Sequence, residues 1–253
     1  AMQAAVNHRQ TFIHERGEFR DRGEDVKPAG LACLPGIPTG EEDSRLSLAR
    51  WLVSSTNPLT ARVVVNRLWQ EFFGTGLVDT PEDFGTRGSL PSHPRLLDWL
   101  AGQFIDSGWD VKQIQRLIVT SATYRQSSQP RPELAERDPY NRLLYCQRSL
   151  RIPGEAVRDV ALAASGLLST KMGGPSVKPP QSQSVIKEAF GSNPWDVSDG
   201  EDRYRRAVYT FILRTTPYAL TATFDAPSPQ EPCARRDRSN TPLQALTLLN
   251  DPA

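Results

Sequence analysis

Two groups of polar side chains in the sequence could do chemistry, and the first lies on one long loop. This loop, rich in glycine, proline and acidic residues, carries Asp79, Glu82, Asp83 and then His93. A carboxylate and a histidine brought together can act as general acid and base, so Asp83 and His93 are the candidate catalytic residues. Their spacing matches neither a calcium-binding EF-hand loop nor the zinc motif H-E-x-x-H. Loop solvation and helix capping also explain the acidic residues, and we prefer that interpretation to the catalytic one.

The second group contains the residues that could hold an anionic ligand: Arg62, Asn66, Arg125, Arg235 and Arg236. Arginine suits bidentate pairing with carboxylates and with anionic ligands. Arg62 and Asn66 lie one helical turn apart at the edge of an apolar helix face, where a half-desolvated charge needs a partner. That partner is either a ligand or a carboxylate on a neighbouring element. We favour the carboxylate, because buried polar groups usually serve structure.

Arg125 and the Arg235–Arg236 pair leave similar alternatives open. If the helix that begins after Asp110 continued, Arg125 would lie in the middle of its apolar face. Either this helix therefore ends near Thr120, or Arg125 is buried against an acid. Arg235 and Arg236 precede a predicted helix N-terminus, where they could form an anion site or pair with acids of another helix.

Other kinds of site find little support in the sequence. The three cysteines form no C-x-x-C motif and the three histidines are scattered, so we predict no metal site and no cofactor in this chain. No G-x-S-x-G motif surrounds a serine nucleophile. The 30 basic and 29 acidic residues give a net charge of +1, which argues against nucleic acid as a partner. No apolar run approaches the roughly 18 residues of a membrane span, and no signal-peptide pattern is present.

Helical patterns dominate the elements that must position these residues. The stretch NPLTARVVVNRLWQEFFG predicts a helix with Asn57 as N-cap, Pro58 at its first position and Gly74 as its end. Its apolar side chains fall on one broad face at about 100° per residue. Arg67 and Glu71 fall on the opposite face, four residues apart, which predicts a solvated ion pair of small value.

Composition divides the chain into four parts. Residues 1–43 are predicted to form an extended N-terminal arm, and residues 44–168 a helical core. Residues 169–203 are a loop or insertion rich in Gly, Pro and Ser. Residues 204–253 add a β element and a C-terminal helix to the same domain. The fold prediction is therefore mainly α, an irregular helical bundle with a small β element near residues 204–225.

Several long phrases, taken in order, resemble one family. They are RLSLARWLVSSTNPLTARVVVNRLWQEFFGTG, PSHPRLLDWLAGQFIDSGWDVKQIQRLIVTSATYRQSS, GEAVRDVALAASGLL and FDAPSPQEPCARRDRSNTPLQALTLLNDP. Over nearly all of residues 10–253 the chain resembles the planctomycete-specific domain of unknown function number fifteen-fifty-three, also called the planctomycete PSD-one domain. Arg62, Asn66, His93, Arg125 and Arg236 fall on motif positions of that family.

The resemblance implies where the protein is located and which domains accompany it. It implies no reaction, since no activity is settled for the family. It implies the C-terminal part of a large exported protein, periplasmic or at the cell surface. Relatives carry a c-type cytochrome domain upstream, so haem is expected only there, and their genes often lie near those for sulfated-polysaccharide breakdown. Relatives also continue beyond the final LLNDPA into further helix, so we expect this chain to be truncated at its C-terminus.

Two functions remain open on the sequence alone. The first is an accessory module of an exported, cytochrome-linked multidomain protein, which binds an anionic glycan or a neighbouring domain of the same or a companion protein. The alternative is an enzyme acting on sulfated or other anionic polysaccharide. In that case the arginines would hold anionic groups, with Asp83 or His93 as acid or base. The alternative predicts that these residues meet in one cleft.

Overall fold

The described part of the chain is mainly α-helical, which confirms the predicted fold class. A computed structural model describes residues 10–27, 29–37, 45–181 and 195–252. The helices among these residues are α1 (Arg45–Leu52), α2 (Thr60–Phe73), α3 (Pro94–Asp106), α4 (Val111–Thr120), α5 (Pro132–Ala135), α6 (Gly154–Ala164), α7 (Ala219–Thr223) and α8 (Pro242–Asn250). Over these ranges, no helix has the length and apolarity that a membrane crossing requires. Parts of the predicted arm 1–43 and of the predicted loop 169–203 lie outside the described residues.

The small β element is a two-stranded antiparallel sheet, but it does not lie where the sequence predicted it. Strands β1 (Thr11–His14) and β2 (Arg22–Val26) pair with each other near the N-terminus, with Thr11 opposite Val26. Residues 204–225 instead form α7, 3-10 turns and single bridges to the 169–177 loop. Inward-facing Arg205 and Ala207 do alternate with outward residues there. That alternation arises from packing against a loop, since residues 204–225 form only single bridges and no continuous hydrogen-bonded ladder.

Helices α2, α3 and α4 enclose the main hydrophobic core. Val65 and Phe73 of α2, Phe104 of α3 and Ile114 of α4 are buried in it. The rings of Trp69 and Phe73 stack with centroids 4.2 Å apart. Val65 and Ile114 lie on the apolar faces that helical periodicity predicted for α2 and α4. The bundle thereby fixes the directions in which the polar faces of the three helices point.

The ends of α2 follow from local chemistry. Asn57 Oδ1 accepts hydrogen bonds from the backbone N–H groups of Leu59 (3.0 Å) and Thr60 (3.4 Å), but the helix begins at Thr60 with Leu59 as its N-cap, two residues after the start predicted at Pro58. Gly74 ends the helix with φ 76°, a left-handed conformation that glycine adopts without a steric cost. The predicted end at Gly74 is confirmed.

A second, smaller cluster holds the C-terminal part of the chain together. It contains Trp195, Tyr218, Leu220 and Phe224, with the rings of Trp195 and Tyr218 stacked 6.0 Å apart. Burial raises the pKa of Tyr218 to about 12. Helix α7 supplies Leu220 to this cluster and Val157 of α6 packs against it. The start of α6 touches the end of α7 so closely that a Cβ atom on Gly154 would lie 3.0 Å from Phe224 Cβ.

Candidate functional site

The structure uses Arg62 and Asn66 to fasten elements together. Arg62 Nε donates to Asp98 Oδ1 of α3 at 2.7 Å, and its Nη1 donates to the Pro58 carbonyl. The fully buried Asn66 amide accepts from the Val78 N–H at 2.8 Å and donates to the Val78 carbonyl at 3.0 Å. The carboxylate partner that we favoured for Arg62 is therefore present as Asp98, whereas ligand binding by Arg62 and Asn66 stays a prediction.

Arg125 lies beyond the end of its helix. Helix α4 ends at Thr120, and the Ser121 hydroxyl then accepts from the Tyr124 N–H at 3.1 Å. The Arg125 side chain is exposed. The first of the two alternatives, a helix that ends near Thr120, is confirmed.

Asp83 and His93 lie on the predicted loop and make short-range contacts there. Asp83 Oδ1 accepts from the Gly85 N–H at 2.7 Å. His93 Nδ1 lies 3.0 Å from Ser92 Oγ, whose own proton goes to the Leu77 carbonyl at 3.3 Å. The catalytic roles of Asp83 and His93 stay a prediction.

Arg235 and Arg236 pair with acids of other elements. An Arg235 guanidinium nitrogen lies 3.6 Å from Asp79 Oδ1, at the start of the Asp79–His93 loop. Arg236 Nη1 donates to both carboxylate oxygens of Glu155 in α6, at 2.9 and 3.0 Å. These two arginines therefore join the segment before α8 to two other parts of the fold.

A cavity of about 360 Å³ brings three other arginines together. Its lining includes Arg148, Arg151 and Arg238, with Glu71 and Phe72 from α2. Tyr124, Gln147, Leu150, Ile152 and Pro153 complete the lining. The predicted ligand-binding residues belong to helix α2, to the segment after α4 and to the segment before α8. Each of these three segments contributes other residues to the lining of this cavity. Arg62, Asp83, His93, Arg125, Arg235 and Arg236 do not line it.

The three arginines of this cavity differ in their partners. Arg238 Nη2 donates to Glu71 Oε2 at 3.4 Å, so Glu71 pairs with Arg238 and not with Arg67 as the sequence predicted. Arg148 donates to Thr75 Oγ1 at 2.8 Å and to the Tyr140 carbonyl, both uncharged acceptors. Among the described residues, no carboxylate pairs with Arg148. Arg148, which lines the cavity, therefore carries a guanidinium that forms no ion pair with a described carboxylate.

Arg151 is held rigidly at one wall of the cavity. Its guanidinium donates to Asp225 Oδ2 at 2.5 Å, to the Ser239 carbonyl at 2.8 Å and to the Phe224 carbonyl at 3.2 Å. Asp225 also accepts from the N–H (2.7 Å) and the hydroxyl of Ser239. The Ser239 N–H above all, with its hydroxyl and Arg151, holds the pKa of Asp225 below its ordinary value. The wall is therefore preorganised around an ionised carboxylate.

The remaining lining is suited to a small polar ligand with an apolar side. The rings of Phe72 and Tyr124 meet edge to face with centroids 5.8 Å apart. Gln147 Oε1 is buried without a hydrogen-bond partner among the described residues. Buried amide oxygens usually have a partner, so this one can accept a hydrogen bond from a ligand or an ordered water.

Sequence reasoning missed Arg148 and Arg151, although a signal was present. They lie three residues apart in QRSLRIPGE, between two predicted helices and just before Pro153. In the same described part of the chain, no cluster of three or more His, Cys, Asp or Glu residues could hold a metal ion.

Comparisons with known proteins give one match. The model of the PSD1 family, described as "Protein of unknown function (DUF1553)", matches residues 44–253. Neither a curated protein nor a solved structure matches the chain.

Proposed function

The chain belongs to the PSD1 family of proteins of unknown function (DUF1553), and we propose that it is a binding module for an anionic group. The site is the cavity lined by Arg148, Arg151 and Arg238. The observation that carries the proposal is that Arg148, which forms no ion pair with a described carboxylate, lines one cavity together with two further arginines. Arginine forms charge-assisted hydrogen bonds with sulfate and carboxylate groups, which are stronger than hydrogen bonds between neutral groups.

The size and lining of the cavity point to one charged sugar unit of an anionic glycan. Its volume of about 360 Å³ lies at the lower end of the range for small-molecule sites. The arginines would hold a sulfate or carboxylate, while Glu71 and the Gln147 amide can accept hydrogen bonds from hydroxyl groups. The rings of Phe72 and Tyr124 offer an apolar surface to the C–H face of a sugar.

The biological setting is proposed from the resemblance given above. It supports an accessory module of an exported, cytochrome-linked multidomain protein. In that setting the anionic group belongs either to a glycan or to a carboxylate of a neighbouring domain, and both would use the same arginines.

One contact supports the alternative, an enzyme acting on anionic polysaccharide. Arg235 lies against Asp79, so the segment before α8 contacts the loop that carries Asp83 and His93. If His93 is a general base, His93→Gln would abolish polysaccharide cleavage and leave binding intact. An absence of cleavage by the unaltered chain on sulfated substrates would exclude this alternative.

Isothermal titration of a sulfated oligosaccharide and its desulfated counterpart tests the binding proposal. We expect binding of the sulfated form only, and a loss of about tenfold or more in affinity in Arg148→Gln and in Arg238→Gln. Arg67→Gln is the matched control, because Arg67 is exposed on α2 and lies outside the cavity. Equal affinities in all three variants, or no binding of any anionic glycan by the unaltered chain, would overturn the proposal.

A further inference from the structure

A second cavity, of about 780 Å³, lies beside the segment that follows helix α6. Two segments line it, residues 166–171 and residues 200–204. Their side chains bring together two cations, a carboxylate, two hydroxyl groups and an aromatic ring. The residues that carry these groups are Lys171, Arg203, Glu201, Ser169, Thr170 and Tyr204. None of them lines the cavity of Arg148, Arg151 and Arg238, so the two cavities are distinct.

Two buried arginines hold the two segments of this second cavity in place. Arg158 of α6 donates to the Arg205 carbonyl at 2.6 Å and to the Arg203 carbonyl at 2.7 Å. Arg205 donates in turn to the carbonyls of Lys171 at 3.2 Å and of Gly173 at 2.5 Å. Arg158 is 2% exposed and Arg205 is 1% exposed. The positions of both segments are therefore set from inside the fold by side chains that do not line the cavity.

The same two arginines make this region cationic. Among the described residues, Arg158 and Arg205 donate to carbonyl groups and form no ion pair with a carboxylate. The Nε atom of each is buried without a hydrogen-bond partner in that part of the chain. A buried charge is unfavourable without an opposite charge nearby. Because both guanidinium groups bond to the backbone of lining residues, they attract an anion in the cavity through an interior of low dielectric constant.

Arg203 is the lining cation that can contact a ligand directly. Its Nε donates to the Ser198 carbonyl at 3.4 Å, and its guanidinium lies 5.9 Å from the centroid of the Tyr204 ring. Over the described ranges, its two Nη atoms have no hydrogen-bond or ion-pair partner. Lys171, in contrast, pairs with Asp202 at 2.9 Å. The Nη atoms of Arg203 can therefore donate to two oxygens of one carboxylate or sulfate group.

The rest of the lining suits hydroxyl groups beside that anion. The side chains of Ser169, Thr170 and Glu201 have no hydrogen-bond partner among the residues that the structure describes. Serine and threonine hydroxyls both donate and accept, and a carboxylate accepts, so each can pair with a sugar hydroxyl. The negative charge of Glu201 disfavours a ligand with several charges. The cavity volume lies well within the range for small-molecule sites.

We propose that this second cavity binds a sugar unit that carries one negative charge. Arg203 holds the carboxylate or sulfate of this unit through its Nη atoms, and Arg158 and Arg205 favour the charge from behind the two segments. Ser169, Thr170 and Glu201 pair with the hydroxyl groups of the sugar. The proposal does not rest on anion binding near Arg148, because the two cavities share no residue.

Isothermal titration of the Arg148→Gln protein tests this site with the other cavity weakened. The probe is a disaccharide with one hexuronate unit, compared with its uncharged methyl ester and with a counterpart that carries one sulfate ester. We expect one acidic disaccharide to bind at one site per chain, with a dissociation constant of the order of 100 µM, and the methyl ester not to bind. Which acidic form binds identifies the anion as carboxylate or sulfate. Binding of neither acidic form, or equal binding of the methyl ester, would overturn the proposal.

Variants of the cavity lining locate the binding. Adding Arg203→Gln should lower the affinity about tenfold or more, and adding Thr170→Val about threefold. Arg206→Gln is the matched control, because Arg206 is exposed on the next turn of the same segment and lies outside the cavity. It should keep the full affinity. Unchanged affinity in both lining variants would contradict the proposal, and Thr170→Val decides the matter alone if Arg203→Gln does not fold.

The same titrations separate this proposal from binding near Arg148. If Arg203→Gln removes all binding from a chain with Arg148 intact, the site near Arg148 fails and this one stands. If Arg148→Gln alone removes all binding, the second site fails and the first one stands.

Discussion

Arg151 and Asp225, 74 residues apart in the chain, form an ion pair with Nη2 2.5 Å from Oδ2. Asp225 has φ 59°, a left-handed conformation that Asp and Asn tolerate better than most residues. Ser239 donates two hydrogen bonds to the same carboxylate. This network joins the segments before α6 and α8 to the end of α7, so one carboxylate holds one wall of the cavity.

Replacing this carboxylate should destabilise the fold. Asp225→Asn keeps the size of the side chain and its tolerance of positive φ, but it leaves Arg151 without a charged partner. We expect a loss of about 2 kcal/mol in the free energy of unfolding, less than for a fully buried pair because both side chains keep some exposure. Urea denaturation measures it. The control is Asp202→Asn, which breaks the exposed ion pair with Lys171 and should cost no more than about 0.5 kcal/mol. If Asp202→Asn lost as much stability as Asp225→Asn, the special role of Asp225 would be contradicted.

The same network predicts that the stability of the fold decreases at acidic pH. The hydrogen bond from the Ser239 N–H, then its hydroxyl and Arg151, lowers the pKa of Asp225 in the folded chain below its ordinary value of 3.8. A group with a lowered folded pKa stabilises the fold above its unfolded pKa, and this stabilisation is lost as pH falls through the folded pKa. Melting temperatures measured downward from about pH 6 should therefore fall more steeply in the unaltered chain than in Asp225→Asn. Parallel curves below pH 3.8 would contradict the role of this carboxylate.

The contact between Asn66 and the chain after α2 predicts a strong effect at Gly76. A Cβ atom at this position would lie 2.6 Å from both Asn66 Nδ2 and the Val78 carbonyl oxygen. Gly76→Ala should therefore break the two hydrogen bonds between Asn66 and Val78 and cost about 2–4 kcal/mol. Gly102→Ala in α3 is the matched control, since no described heavy atom lies within 4 Å of its new Cβ. In thermal denaturation, Gly102→Ala should leave the stability unchanged or raise it slightly. A comparable loss of stability in both variants would show that crowding at Asn66 is not the cause.

The clamp between α2 and α3 predicts that Arg62 affects stability alone. Arg62 and Asp98 keep side-chain exposures of 34% and 58%, so Arg62→Gln should cost no more than about 1 kcal/mol. Because Arg62 lies outside the arginine-lined cavity, titration of a sulfated oligosaccharide should give the affinity of the unaltered chain. A large loss of affinity in a folded Arg62→Gln protein would instead support Arg62 as a ligand-binding residue.

Helices and their ends were predictable because their determinants are local. The apolar faces of α2 and α4 follow from side chains spaced three or four residues apart, and the Asn57 hydrogen bonds and the Gly74 end involve neighbouring residues only. The position of the β element was not predictable. The alternating pattern of 204–225 suits a strand, but its inward residues pack against the 169–177 loop, which the pattern cannot reveal.

The sequence by itself determined which residues lie on helices, which helix faces are apolar and which polar groups need a partner. Only the tertiary structure decided those partners. Glu71 pairs with Arg238, 167 residues away, although Arg67 lies on the next turn of its own helix. Arg148, Arg151 and Arg238 share a cavity because α2, the 147–153 segment and the start of α8 pack together. Helical geometry fixes contacts over a few residues, whereas contacts between distant segments depend on how the buried faces of the helices fit against one another.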